Sequence, residues 1–123
     1  MDIMNKIFVY GTLKAGGRLH SHGMSNSKYL GEYESDEWWV LADFGAYPGL
    51  IPGDRVVYGE VYEVTDETLK RLDLIEGVPN LFIRANIKVR PRGSDDDYMQ
   101  VLTYMFNNVS ALWDYDRTNE WVV

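Results

Sequence analysis

The hydrophobic pattern of this chain predicts a fold made mostly of β-strands. An unbroken apolar and aromatic run at residues 7–10 predicts the first strand, residues 6–10, and residues 82–90 alternate apolar and polar side chains as a half-buried strand does. Further strand-like runs are residues 29–35, 38–42, 56–64 and 98–106. Residues 82–106 are expected to form one hairpin. Gly59 interrupts the clearest run, which predicts a bulge or a close backbone approach there.

One helix is predicted after the strand that ends near residue 64. Thr65 is a favourable N-cap, and the two acidic residues behind it suit the positive end of the helix dipole. Its buried side is marked by apolar residues at helical spacing, namely Leu69, Leu72 and Ile75. Gly77 is expected to end the helix, and Pro79 prevents its continuation. Strands and helix together predict an α+β domain or a small barrel with helical decoration.

The remaining segments predict loops and a tail. Residues 14–27 are rich in glycine, serine and histidine and predict a long loop with a short helix near residues 20–24. Residues 43–54 hold three glycines and two prolines and predict a turn-rich loop. The tail, residues 107–123, is expected to pack over the body through Trp113, Tyr115 and Trp121. With no repeat and no linker, the 123 residues are expected to form one domain.

Charge and composition narrow the classes of function. The chain has 12 Lys and Arg residues against 19 Asp and Glu residues, a net charge of −7, so it repels phosphate backbones and we expect no nucleic-acid partner. No apolar run approaches the ~18 residues of a membrane-spanning helix, and the first ten residues do not resemble a signal peptide. The absence of cysteine excludes a thiolate nucleophile. We therefore expect a cytoplasmic protein without membrane contact.

The first loop carries residues that could support two other kinds of chemistry. His20 and His22 form an H-x-H pair, but a zinc site needs a third ligand at sensible spacing and none follows nearby, so we expect no metal. Three serines lie near these histidines, and a serine nucleophile with a histidine base stays open because nothing singles one serine out. The chain has no P-loop, no dinucleotide fingerprint and no nucleophile elbow.

Glu76 is the carboxylate that local structure explains least well. It falls in the last turn of the predicted helix, where the negative end of the dipole disfavours a carboxylate by a few tenths to about 1 kcal/mol. Asp73 lies three residues earlier on nearly the same face and repels it. Both effects raise the pKa of Glu76 toward the range that a general base or acid needs near neutral pH.

Four motifs occur in an order that resembles a known family. They are residues 9–14 (VYGTLK), 46–50 (AYPGL), 57–62 (VYGEVY) and 72–79 (LDLIEGVP). Together they resemble the γ-glutamylcyclotransferase-like family, in particular its short members related to γ-glutamylamine cyclotransferase and the AIG2-like proteins. The resemblance covers about residues 7–106.

This resemblance implies a fold, a reaction and a set of site residues. The fold would be a small mixed, mostly antiparallel β-barrel with one main helix and short flanking helices. The reaction would convert a small γ-glutamyl amide into 5-oxoproline and a free amine, with Glu76 as the catalytic acid and base and with no cofactor. The turn amides of Gly11 to Leu13 would hold the α-carboxylate. The implied substrate-binding residues are Tyr10, Gly11, Thr12, Leu13, Tyr47, Phe82 and Tyr104.

Two departures from the family pattern bear on substrate choice. Phe82 stands where the family usually has a tyrosine, and Leu19 stands where it usually has an asparagine. Phe82 therefore motivates one alternative to an enzyme, a binding homologue without turnover. A second alternative is an interaction domain that uses its acidic face, with Trp113 and Trp121 as anchors. The oligomeric state is left open between monomer and dimer.

Overall fold

The computed structural model describes residues 4–17, 19–24, 27–107 and 115–122. Its eight strands and two helices, in chain order, are β1 (Met4–Val9), α1 (His20–Gly23), β2 (Lys28–Ser35), β3 (Trp39–Asp43), β4 (Pro48–Pro52), β5 (Tyr58–Thr65), α2 (Asp66–Ile75), β6 (Phe82–Pro91), β7 (Met99–Phe106) and β8 (Asp116–Thr118). No helix among the described residues has the length and apolar character needed to cross a lipid bilayer.

Five strands close into a barrel in the order β1-β5-β2-β6-β7. The pairs β1–β5, β2–β5, β2–β6 and β6–β7 are antiparallel, whereas β1 and β7 meet in parallel at Ile7 and Leu102. The predicted α+β fold with a mixed, mostly antiparallel barrel is confirmed, and so is the hairpin of residues 82–106. The short helix predicted near residues 20–24 is α1.

A second sheet of three strands lies beside the barrel in the order β4-β3-β8. The prediction of a loop over residues 43–54 was wrong, since Pro48–Pro52 forms β4 and pairs with β3. Both prolines stand at the ends of an edge strand, where a missing N–H disturbs the ladder least. Strand β8 comes from the tail and pairs with β3. Tyr115 packs edge-on against Phe44 at 4.8 Å, whereas Trp113 lies outside the described residues.

The second half of β1, Ile7 to Val9, is buried on both faces, which explains the apolar run there. Ile7 and Val9 pack in one core cluster with Leu69 and Leu72 of α2, while Phe8 belongs to a second cluster that fills the barrel and reaches the other sheet. Gly59 of β5 lies against β1, where a Cβ would stand 2.5 Å from the Val9 carbonyl oxygen. The predicted close approach at this glycine is confirmed.

Helix α2 follows β5 without a loop and delivers its C-terminal end to the end of β1. The Thr65 side chain accepts a hydrogen bond of 3.1 Å from the Thr68 amide, which confirms the predicted N-cap. Gly77 has φ of 65°, the left-handed conformation expected of it, and Glu76 is the C-cap residue. Since β1 packs directly on this helix, Glu76 and the turn after β1 come together.

Candidate active site

A cavity of about 170 Å³ lies where β1 ends and α2 ends. Every residue proposed for the site from the sequence lines this cavity: Tyr10, Gly11, Thr12, Leu13, Tyr47, Glu76, Phe82 and Tyr104. Leu19, the other residue at which the chain departs from the family pattern, lines it too. The cavity brings these residues together; the role of each one remains a prediction.

The turn after β1 uses its carbonyl groups within the protein and leaves its amides available. The carbonyl oxygens of Gly11, Thr12 and Leu13 accept hydrogen bonds of 2.9, 2.9 and 2.8 Å from the Lys14 amide, the Leu19 amide and His20 Nδ1. Within the described part of the chain, the three amides donate to no protein acceptor. Successive free amides at a turn form a concave site for an anion.

Gly11 is required by close packing. A Cβ at this position would lie 2.7 Å from Cγ of Pro48, which belongs to β4. The neighbouring Tyr10 reaches the same strand, because the Leu50 amide donates to its hydroxyl at 3.2 Å. The barrel and the second sheet therefore meet in one contact, formed by two motifs that are separate in the sequence, residues 9–14 and 46–50.

Glu76 is partly buried at the C-terminal end of α2, and its amide donates to the Leu72 carbonyl at 2.9 Å. Burial raises the pKa of this carboxyl group from 4.5 to about 7. The direction agrees with the expectation, and its cause is desolvation by burial, whereas the causes expected from the sequence were the helix dipole and repulsion by Asp73. A carboxyl group with this pKa exchanges protons readily near neutral pH.

Asp73 is engaged with a cation and a phenol. Arg84 donates to both of its carboxylate oxygens, from Nε at 2.8 Å and from Nη2 at 2.6 Å, and the Tyr104 hydroxyl donates to Oδ1 at 2.7 Å. Burial alone would raise the pKa of Asp73, but the hydrogen bonds from Arg84 and Tyr104 outweigh it and lower the pKa. This network fastens the last turns of α2 to β6 and β7.

Two of the three tyrosines that line the cavity, Tyr10 and Tyr104, have hydroxyl groups that are hydrogen-bonded to protein partners. Tyr104 donates to Asp73, and Tyr10 donates to the Tyr104 carbonyl oxygen at 2.8 Å. The pKa of Tyr10 is raised well above its ordinary value, mainly by burial and then by the charge of Glu76. Both residues therefore offer the cavity an aromatic wall, with their hydroxyl groups directed to protein partners.

Comparison with known proteins identifies the family of this chain. A family model described as "Gamma-glutamyl cyclotransferase, AIG2-like" matches residues 7–123. The chain belongs to this family. The γ-glutamylcyclotransferase family protein YtfP of Escherichia coli K12 is 40% identical over 91 residues, which cover 72% of this chain and 76% of that protein. The family resemblance inferred from the four motifs is confirmed.

Two further relatives extend the comparison. The γ-L-glutamyl-butirosin B γ-glutamyl cyclotransferase of Niallia circulans is 34% identical over 113 residues, which cover 79% of this chain and 72% of that protein. The crystal structure of an AIG2-like protein from Mus musculus superposes with a TM-score of 0.85 at 27% identity, covering 97% of this chain and 88% of that chain.

Tyr47 and Phe82 line the cavity in this AIG2-like chain, and two further aromatic residues outside the lining pack against them. Phe82 is 3% exposed and packs at 6.3 Å from Tyr47 and edge-on at 5.6 Å from Phe106. Phe44 joins Tyr47 at 5.4 Å and Phe106 at 4.7 Å and closes the group. The local pattern gave no signal for the contacts of Phe106, because Phe44 and Phe82 are distant from it in sequence.

Side chains that could bind a metal do not cluster in the described part of this family member. Among those residues, no three His, Asp or Glu side chains lie close enough together to hold a metal ion. His20 binds the Leu13 carbonyl through Nδ1, so it serves the turn after β1. The side chain of His22, its partner in the H-x-H pair, lies outside the described residues.

Proposed function

We propose that this protein is a γ-glutamyl cyclotransferase that converts a small γ-glutamyl amide into 5-oxoproline and a free amine. The observation that carries the proposal is that Glu76, with a pKa of about 7, lines the same cavity as the three unengaged amides of Gly11 to Leu13. The amides supply a site for the substrate's α-carboxylate, and Glu76 supplies the proton transfer.

The reaction needs one carboxylate and a folded substrate. Glu76 takes a proton from the substrate's α-amino group, whose nitrogen attacks the γ-carbonyl carbon. The new C–N bond closes the five-membered ring, the bond to the leaving amine breaks, and Glu76 returns its proton to that amine. Because nucleophile and carbonyl belong to one molecule, holding the chain folded supplies a large effective molarity. General acid–base catalysis by one side chain contributes a further ~10²–10⁴-fold.

The cavity volume suits the end of the γ-glutamyl group that carries the α-carboxylate. A protein cavity of about 150 Å³ holds a benzene molecule, and a cavity of about 170 Å³ has room for a group of similar size, such as this carboxylate with its α-carbon, amino group and methylene chain. With the α-carboxylate at the Gly11–Leu13 amides, the methylene chain packs against Tyr47 and Phe82. The name of the Niallia circulans relative, which is a γ-glutamyl cyclotransferase, supports this reading.

A direct assay tests the proposal. The protein is incubated with γ-glutamyl amino acids and γ-glutamylamines, and 5-oxoproline is followed by chromatography. Product from at least one substrate is expected, and Glu76→Gln should abolish it while leaving substrate binding within a few fold. Full activity of Glu76→Gln would show that another group moves the proton. Saturable binding with no product from any substrate would instead identify a binding homologue, the alternative that Phe82 motivates.

A further inference from the structure

A second buried carboxylate lies close to the site and has no part in the proton transfer. Glu60 stands in β5 opposite Val9, the last residue of β1, and is 9% exposed. Among the described residues, no Lys, Arg or His side chain forms an ion pair with it. Its cross-strand neighbour on β2 is another carboxylate, Glu32. A buried charge in these surroundings needs hydrogen bonds to offset its desolvation.

Glu60 finds those hydrogen bonds on the turn that follows β1. Its Oε1 accepts from the Ala15 amide at 2.9 Å and from the Tyr62 hydroxyl at 2.9 Å. Ala15 lies two residues beyond Leu13, whose carbonyl oxygen is held by His20. Glu60 therefore anchors the far end of the turn whose near end is fixed by β1.

We propose that Glu60 is a positioning residue that holds the Gly11–Leu13 amides in place for the substrate's α-carboxylate. The inference rests on the proposed function for its kinetic consequence. A hydrogen bond from an amide to an ionised carboxylate is shorter and stronger than one to a neutral acceptor, so a carboxylate fixes the turn better than an amide or hydroxyl side chain would. An ordered turn binds an anion without first losing conformational entropy.

The chain offers a matched control in Glu34. This glutamate is also 9% exposed, and it accepts a hydrogen bond of 2.7 Å from the amide of Gly93, in the turn after β6. It differs in having Arg90 as an ion-pair partner at 3.4 Å, and Gly93, whose amide it holds, does not lie in a turn that lines the cavity. Removing either side chain frees one turn amide, but only Glu60 serves the turn beside Glu76.

Two measurements on the full chain test the proposal. Amide hydrogen exchange by NMR reports whether the turn loosens, through the hydrogen-bonded amides of Lys14, Ala15 and Leu19, and steady-state kinetics separates KM from kcat. Glu60→Ala should accelerate exchange at these three amides and raise KM by about tenfold, the effect of one lost charge-assisted hydrogen bond, with a smaller change in kcat. Glu60→Gln keeps an acceptor oxygen and should recover most of both effects. Glu34→Ala should accelerate exchange at Gly93 and leave KM within about twofold.

Each possible result either supports or contradicts the anchoring role of Glu60. Unchanged exchange at the Lys14 and Leu19 amides in Glu60→Ala would overturn the anchoring role, and an equal rise of KM in Glu34→Ala would show general loosening instead. If Glu60→Ala does not fold, Glu60→Asp, whose carboxylate is one methylene shorter, carries the same expectation. If the unmodified protein yields no 5-oxoproline, the proposed function fails, while the exchange data still decide whether Glu60 holds the turn.

Discussion

Replacing Glu76 by Gln should abolish turnover and at the same time stabilise the protein, by an amount that depends on pH. In the folded state the pKa of Glu76 rises from 4.5 to about 7 because burial disfavours the ionised form. At about 1.4 kcal/mol per pH unit, this corresponds to ~3 kcal/mol of lost stability once the group is ionised in both states. Partial exposure of Glu76 makes that value an upper bound.

The sign follows from proton binding. Between pH 4.5 and about 7 the unfolded chain releases the proton of Glu76 while the folded protein keeps it, so stability falls as pH rises through this window and levels off above it. Below pH 4.5 both states are protonated, and Gln is a close mimic of the neutral acid. Glu76→Gln should therefore change the free energy of unfolding little at pH 4 and raise it by ~1–3 kcal/mol at pH 8.

Urea denaturation at several pH values between 4 and 8 measures this difference. Glu67→Gln, at an exposed position in the first turn of the same helix, is the matched control and should destabilise slightly at pH 8, by a few tenths of a kcal/mol, because a favourable dipole interaction is lost. A Glu76→Gln difference that is the same at pH 4 and pH 8 would refute the assignment of a raised pKa to Glu76.

Three further predictions follow from the site. The value of kcat/KM for 5-oxoproline formation should rise with pH to a plateau, with an apparent pKa of about 7, since Glu76 must be ionised to accept the proton. A flat profile of kcat/KM from pH 5.5 to 8.5 would contradict this role. Gly11→Ala should raise KM and destabilise the protein by ~1–3 kcal/mol in urea titrations, because its Cβ would lie 2.7 Å from Pro48. An unchanged KM would argue against substrate contact at this turn. Asp73→Ala should lower the free energy of unfolding by ~1–3 kcal/mol, because it leaves Arg84 and the Tyr104 hydroxyl without their shared acceptor. Calorimetry measures this loss. The control Lys70→Ala, at an exposed position of the same helix, should stay within about 0.5 kcal/mol of the unmodified protein.

The parts of the fold that the sequence predicts best are those with local signals. The N-cap Thr65 and the left-handed Gly77 bound α2 as expected, because capping is decided by residues within one helical turn. Strand β4 was missed because its glycine and two prolines are turn formers locally, whereas pairing with β3 decides its conformation. Tertiary pairing of this kind leaves no trace in a local pattern.

The candidate site likewise has features that the sequence predicted and features that depend on tertiary structure and were missed. The eight candidate residues line one cavity, and six of them, Tyr10, Gly11, Thr12, Leu13, Tyr47 and Glu76, come from the motifs of residues 9–14, 46–50 and 72–79. The bidentate pair of Asp73 with Arg84 and the hydrogen bond from Tyr104 were missed, because these partners lie 11 and 31 positions apart in the chain. Desolvation was not among the causes expected for the raised Glu76 pKa for the same reason: burial is a property of the folded molecule.

The burial of Ile7, Phe8 and Val9 in the second half of β1 has a thermodynamic consequence for ligand binding. The turn that would hold a carboxylate continues directly from this strand, which packs against α2 on one side and fills the barrel on the other. Such an element opens only when the whole domain unfolds. A ligand bound at the turn is therefore linked to global unfolding: at 100 times its Kd it should add about 2.7 kcal/mol to the unfolding free energy. A shift in melting temperature then reports occupancy of the site without any turnover.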